Sequence, residues 1–320
     1  MNVLIIKTSS LGDVIHTLPA LSDAKKAIPG INFDWVAEEA FAEIPEWHIA
    51  VKDVFPVAWR RWRKNLIKAF CLGELPTFLK TLRQKKYDLI IDAQGLIKSA
   101  VIAKIACGRC CGYDNKSARE QLAAFFYTNK FAITKDQHAI TRTRQLFAAA
   151  LKYEIPTTAP DYGINKQIFP LATAKEKYMV FFHGTSREEK CWHEQKWIEL
   201  VQFVTTNGFI VYLPWGNSTE LARAKRIAQN NNRAKVLPRL NLSAIAALLL
   251  NAKVAIAVDT GLSHVAAALG VPTISLYGPT NPKLSGTVGA DQIHMINFEQ
   301  LTAADVWQTI KKEIVYDCIT

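Results

Sequence analysis

Short runs of consecutive apolar residues alternate with longer amphipathic stretches along the chain. Residues 3–6, 89–91, 179–182, 210–213 and 254–258 are each too short for a helix and too uniformly apolar for a strand with one wet face. Strands buried on both faces belong to parallel sheets wrapped by helices, so the pattern predicts an α/β fold. It recurs in both parts of the chain. A length of 320 residues, 49% hydrophobic and 21% charged, suits two domains that each bury a core. Periodicity breaks at residues 155–160, where two prolines stand among small polar residues, and this predicts domains over 1–155 and 156–320.

Ligands of open α/β sheets collect beyond the carboxyl ends of strands, so the polar loops that follow the apolar runs carry the candidate chemistry. After 254–258 come Asp259, Thr260 and Gly261, then Ser263 and His264 at the start of a helix, then another apolar run at 273–277. Such a turn either caps a helix or seats an anion on the free amides and positive dipole of the helix end. After residues 3–6 come Ser9, Ser10, Gly12 and Asp13. Asp13 at a helix start is either an N-cap, worth about 1 kcal/mol, or a base placed to take a proton from a hydroxyl. The loop after 179–182 holds Thr185, Ser186 and Lys190. Two hydroxyls and an ammonium can hold a diphosphate, or Lys190 can pair with Glu188 or Glu189 on a polar surface. A fourth loop, after 89–92, holds Lys98 and Ser99 without completing a P-loop; the chain contains neither G-x-x-x-x-G-K-[ST] nor G-x-G-x-x-G.

A net charge of +11 calls for an anionic partner. Residues 59–68 hold five cations, no acid and two interleaved Trp, which fits either a solvated helix face or a patch touching lipid head groups. No nucleic-acid-binding motif accompanies the charge, so nucleic acid is not an expected partner. The six cysteines are expected as reduced thiols. Cys107, Cys110 and Cys111 have ligand-like spacing but no second pair at zinc-site distance. No apolar run reaches the roughly 20 residues that cross a bilayer, and residues 3–6 give way to polar ones too soon for a signal peptide, so a cytoplasmic protein is expected.

Three segments, taken in order, resemble the family 9 glycosyltransferases: KTSSLGD at 7–13 with HTLPA at 16–20, DAQGLIKS at 92–99, and DTGLSH at 259–264 with YGPT at 277–280. The likeness extends over nearly the whole chain, including WRRWRK at 59–64. It implies a GT-B fold, two Rossmann-like domains with parallel sheets facing across a cleft, the first binding the acceptor and the second ADP-heptose. A final helix at about 303–315 would pack back on the first domain. The implied reaction moves L-glycero-D-manno-heptose from ADP-heptose to the Kdo of a Kdo-lipid A acceptor, with inversion, by a protein lying peripherally on the inner face of the cytoplasmic membrane. The resemblance makes Asp13 the general base, with Ser9, Ser10 and Gly12 shaping its loop. It assigns the diphosphate to Thr185, Ser186 and Lys190, the ribose to Glu220, the adenine to Leu240, and heptose and phosphates to Asp259, Thr260, Gly261 and His264. Arg60, Arg61, Arg63, Lys64, Lys98, Arg119 and Arg142 would meet the anionic acceptor, for which bidentate arginine is suited. Neither cofactor nor metal is expected, because the D-x-D motif of A-type glycosyltransferases is missing. Two rivals use similar residues: a nucleotide-sugar epimerase or hydrolase of the same fold, and a non-catalytic module binding anions or membrane.

Overall fold

The apolar runs become strands in a computed structural model that describes residues 1–170 and 176–315. The strands are β1 (Asn2–Ile6), β2 (Asn32–Glu38), β3 (Val51–Val57), β4 (Lys86–Asp92), β5 (Cys107–Tyr113) and β6 (Asn129–Phe131), then β7 (Tyr178–Phe182), β8 (Ile210–Leu213), β9 (Ala234–Val236), β10 (Val254–Val258), β11 (Thr273–Tyr277) and β12 (Gln292–Ile296). The first six form one sheet in the order β3-β2-β1-β4-β5-β6, and the last six form a second in the order β12-β11-β10-β7-β8-β9. Neighbouring strands are parallel throughout. Central strands are buried from end to end, as in β7, β10 and β11, whereas the edge strand β3 is half exposed. Pro56 is tolerated there because an edge strand has one unpaired side.

Both sheets share one topology. The chain leaves β1 towards β2 and leaves β4 towards β5 on the opposite side, and β7 and β10 repeat this divergence. Each pair is a topological switch point, where loops part and open a crevice at the carboxyl edge. The candidate loops of the sequence leave β1, β4, β7 and β10.

The chain divides into Met1–Asn165 and Lys166–Thr320, so the boundary lies later than residues 155/156. The reason is a buried guanidinium. Arg144 pairs with Asp23 (Nε to Oδ2 2.6 Å) and also donates to the carbonyls of Pro156 and Thr158, fastening the proline-rich segment to the first unit. The Asn165 N–H donates to Trp47 at 2.8 Å and extends that attachment.

The helix Ala303–Ile310 buries Ala303, Val306, Trp307 and Ile310 in the core of the second unit, with Trp192 and Trp197. Its apolar stripe packs there on the helix Glu194–Thr206. Of the expected 303–315 segment, the side chains of 314 and 315 lie outside the described residues.

The two tryptophans of the basic stretch are also core residues. Trp62 is buried edge-on against Phe78, donates Nε1 to Glu74 at 2.7 Å, and anchors the short helix Trp59–Trp62, while Trp59 packs on the same core. Cys110 and Cys111 lie in β5, where their thiols donate to the carbonyls of Ala103 and Ile90. Burial raises both thiols above their usual range, Cys111 to about 12, which leaves them unreactive.

Candidate active site

At the first switch point, Ser10 is the cap of the helix Leu11–Ile15 and Asp13 is its third residue. Asp13 is therefore not the N-cap. Its Oδ2 accepts the Ser10 N–H at 2.8 Å and the Ser10 hydroxyl at 3.0 Å. Lys7 Nζ and Arg119 each stand 3.9 Å from the carboxylate, whose side chain keeps 27% of its surface in solvent. Burial would raise this carboxyl, but Lys7, the Ser10 N–H and Arg119 together outweigh it and hold it below its ordinary value.

The loops leaving β1 and β4 are tied together by two side chains. Lys7 reaches across to the Ala93 carbonyl at 2.9 Å, and Gln94 Oε1 accepts the N–H groups of Thr8 (3.0 Å) and Ser9 (3.1 Å). Behind them, fully buried Asp92 accepts from the Gln94 and Gly95 N–H groups, the Ser99 hydroxyl and the Tyr127 hydroxyl. Gly95 must be glycine, for it has φ +67° and a Cβ would lie 3.3 Å from the Arg119 amide nitrogen. Asp92 thus shapes the loop, the loop aims Gln94, and Gln94 positions the turn that carries Asp13. Gln94→Ala would leave two N–H groups without their acceptor, at about 1–3 kcal/mol each where water cannot reach them. We expect a lower unfolding temperature and a reduced turnover in Gln94→Ala, both restored by Gln94→Glu; a calorimetric trace matching wild type would refute this role.

A cavity of about 280 Å³ opens beside Asp13, and its lining includes Lys7, Arg119, Lys135 and Arg142. Arg142 lies over the Tyr113 ring at 5.0 Å and donates to the Ser117 carbonyl at 2.9 Å. Four cations thus surround one carboxylate, a setting for an anionic ligand with a hydroxyl to be deprotonated. Sequence reasoning found Asp13, Arg119 and Arg142 but missed Lys7, Gln94 and Lys135. The signal for Lys7 was a lysine closing an otherwise apolar strand; Lys135, in a polar loop, offered none.

Arg60, Arg63, Lys64 and Lys98 are not among the residues lining this cavity. Arg60 is held through its N–H by buried Glu38 at 2.9 Å and lies over the Phe41 ring. Arg61 is occupied by Glu39 at 3.1 Å and Glu74 at 2.6 Å, which leaves it the least available cation of the stretch. Lys98 is lowered from its usual value, first by burial and further by Arg60 and Arg63, so it belongs with that cluster.

At the second switch point the loops of β7 and β10 converge. Lys190 donates to Asp259 Oδ2 at 2.7 Å, not to Glu188 or Glu189, and the Thr185 hydroxyl donates to the Asp259 carbonyl at 3.1 Å. Thr260 occupies the cap position of the helix Gly261–Ala268 in extended backbone, yet its side chain makes no capping hydrogen bond. His264 is buried in the first turn of that helix. Glu220, in the helix Ser218–Ile227, accepts from the Gly216 N–H at 2.7 Å and from the Asn217 side chain at 2.9 Å. It packs so closely on the β7 loop that a Cβ at Gly184 would fall 2.7 Å from Glu220 Cγ. Ser186 is exposed, and Leu240 is half-buried in the loop after β9. Among the described residues no three His, Cys, Asp or Glu side chains are grouped to hold a metal ion.

Two Rossmann-type units of one topology, with a cation-ringed carboxylate at one switch point and a Lys–Asp pair with a helix N-terminus at the other, define the class: a GT-B glycosyltransferase. A model of glycosyltransferase family 9 (heptosyltransferase) matches residues 76–314, and the chain belongs to that family. It is 52% identical over 296 residues to lipopolysaccharide heptosyltransferase 1 of Pseudomonas aeruginosa, covering 92% of this chain and 83% of the relative. A solved structure of E. coli heptosyltransferase WaaC with ADP matches with a TM-score of 0.93 at 49% identity, over 98% of this chain and 100% of that one. WaaC with ADP-2-deoxy-2-fluoro heptose matches at 0.90 and 48% identity, over 98% and 99%. The family and fold read from the three motifs are borne out.

Proposed function

We propose that this chain transfers L-glycero-D-manno-heptose from ADP-heptose to the Kdo of a Kdo-lipid A acceptor, with inversion at the anomeric carbon. The observation that carries the reading is the Asp13 carboxylate, kept ionised among Lys7, Arg119, Lys135 and Arg142. The cations suit a carboxylated, phosphorylated acceptor, and the carboxylate suits a base for its hydroxyl. Similarity to solved structures bearing ADP and an ADP-heptose analogue supports the donor.

In this mechanism Asp13 takes the proton of the acceptor hydroxyl as its oxygen attacks the anomeric carbon on the face opposite the diphosphate. The bond from that carbon to the diphosphate oxygen breaks, and ADP leaves with the charge. Lys190, the hydroxyls of Thr185 and Ser186, and the first-turn amides after Thr260 meet that charge without a metal ion. Glu220 takes the ribose and Leu240 lines the adenine, while Asp259, Gly261 and His264 contact heptose and phosphates. Arg60, Arg63, Lys64 and Lys98 receive more distant anionic groups of the acceptor, on a protein held peripherally at the inner membrane face.

The test is incubation with ADP-heptose and Kdo-lipid A in the presence of EDTA. Heptose should appear on the acceptor with the anomeric configuration inverted. Release of free heptose, or its epimerisation, without transfer would replace the reading with a hydrolase or epimerase.

A further inference from the structure

The basic stretch runs into a short helix, Leu66–Cys71, whose apolar residues are not used by the core: Ala69 alone is buried. Ile67 is 79% exposed, Phe70 64% and Leu72 62%. Around them stand Arg63, Lys64 and Lys68, and residues 60–73 contain no carboxylate. A second apolar projection lies in the same unit. Phe125 (76% exposed) and Leu122 sit on the turn Gln121–Phe126, with Lys130 over the Phe125 ring. That turn packs on the helix Ile97–Ile105, which carries Lys98 close enough to Arg60 and Arg63 to feel their charge. Cations thus accompany both projections.

Large side chains held in water beside a cluster of cations need a partner that is apolar within and anionic at its rim. A second copy of the chain fits poorly, because a two-fold contact sets the same patch against itself and would bring cation against cation. We infer that this face docks on an anionic phospholipid bilayer, with Ile67, Phe70 and Phe125 entering below the head groups while Lys68 and Lys130 meet the phosphates. The inference rests on the lipid-borne acceptor proposed above, and it names the surface that brings the enzyme to it.

The experiment compares the full chain with Ile67→Ser/Phe70→Ser in co-sedimentation with phosphatidylcholine vesicles, with and without phosphatidylglycerol. Wild type should bind the anionic vesicles and lose that binding as salt is raised, and the double variant should partition at least about tenfold more weakly. Because both side chains are already in water, the variant's unfolding temperature and its transfer rate to a deacylated, soluble Kdo acceptor should match wild type. Equal vesicle binding by the two proteins would overturn the inference. So would a wild-type dimer that the substitutions dissociate while vesicle binding persists. Vesicle binding by wild type with no transfer to the soluble acceptor would leave the docking face standing and remove the proposed reaction.

Discussion

Asp13→Asn is expected to lower kcat by about 10²–10⁴-fold while ADP-heptose binding, read by calorimetry, stays close to wild type. The amide keeps the size of the side chain and can still accept the Ser10 N–H at Oδ, so the helix Leu11–Ile15 retains its start. What it cannot do is take a proton. Near Lys7 and Arg119 the carboxyl is held below its usual value of 3.8, even though burial pulls the other way. The proposed base is thus already ionised at neutral pH, and the acid limb of kcat/KM that it would control should lie below about pH 4. The sign follows from the depressed value: the ionised form is favoured in the fold, so its contribution holds at higher pH and fades as pH falls through that limb. Lys7→Met should shift the limb upward by removing the cation that lowers the carboxyl most. Undiminished turnover in Asp13→Asn would exclude this carboxylate as the base.

The second large effect is expected at Lys190. Lys190→Ala should lower kcat by about 10²–10³-fold and raise the KM for ADP-heptose, with Lys190→Arg recovering part of the loss. The ammonium is held by Asp259, the two side chains being 18% and 11% exposed. Removing the lysine does two things. It withdraws the charge that would meet the departing diphosphate, and it leaves the Asp259 carboxylate unneutralised where the proposed mechanism seats that diphosphate. The double variant Lys190→Ala/Asp259→Asn should therefore bind ADP more tightly than Lys190→Ala alone. Steady-state kinetics with ADP titrations would decide it; a Lys190→Ala enzyme with wild-type kcat would remove this lysine from the leaving-group step.

How far the site was legible depended on how local its signals were. Asp13, Lys190 and Asp259 announced themselves because each lies in the polar segment that follows an apolar run, and ligand loops of such sheets lie at strand ends. The choice between roles was not legible. Lys190 had two acidic neighbours two residues or fewer away, yet its partner is 69 positions distant, across a sheet whose strand order no local pattern specifies. Gln94 is one polar residue among several in its loop, and its importance lies wholly in two N–H groups 85 and 86 positions away. The two tryptophans of the basic stretch suggested a binding patch, but Trp62 is drawn inward by Phe78 and Glu74, and what remains exposed is the apolar helix that follows.

By its own sequence this protein determined six of its strands, its parallel α/β class, the loops that carry chemistry and its family, because apolar runs, helix-start residues and motif spacing are properties of neighbouring positions. Tertiary structure alone decided that Lys7 and Arg119 keep Asp13 charged, that Arg144 binds residues 156 and 158 to the first unit, that Arg61 is occupied by two carboxylates, and that the helix Ala303–Ile310 meets Trp192 and Trp197. Each of these turns on which distant group a charge or an apolar stripe meets once the sheets have formed, and a partner's identity is written at neither end of the contact.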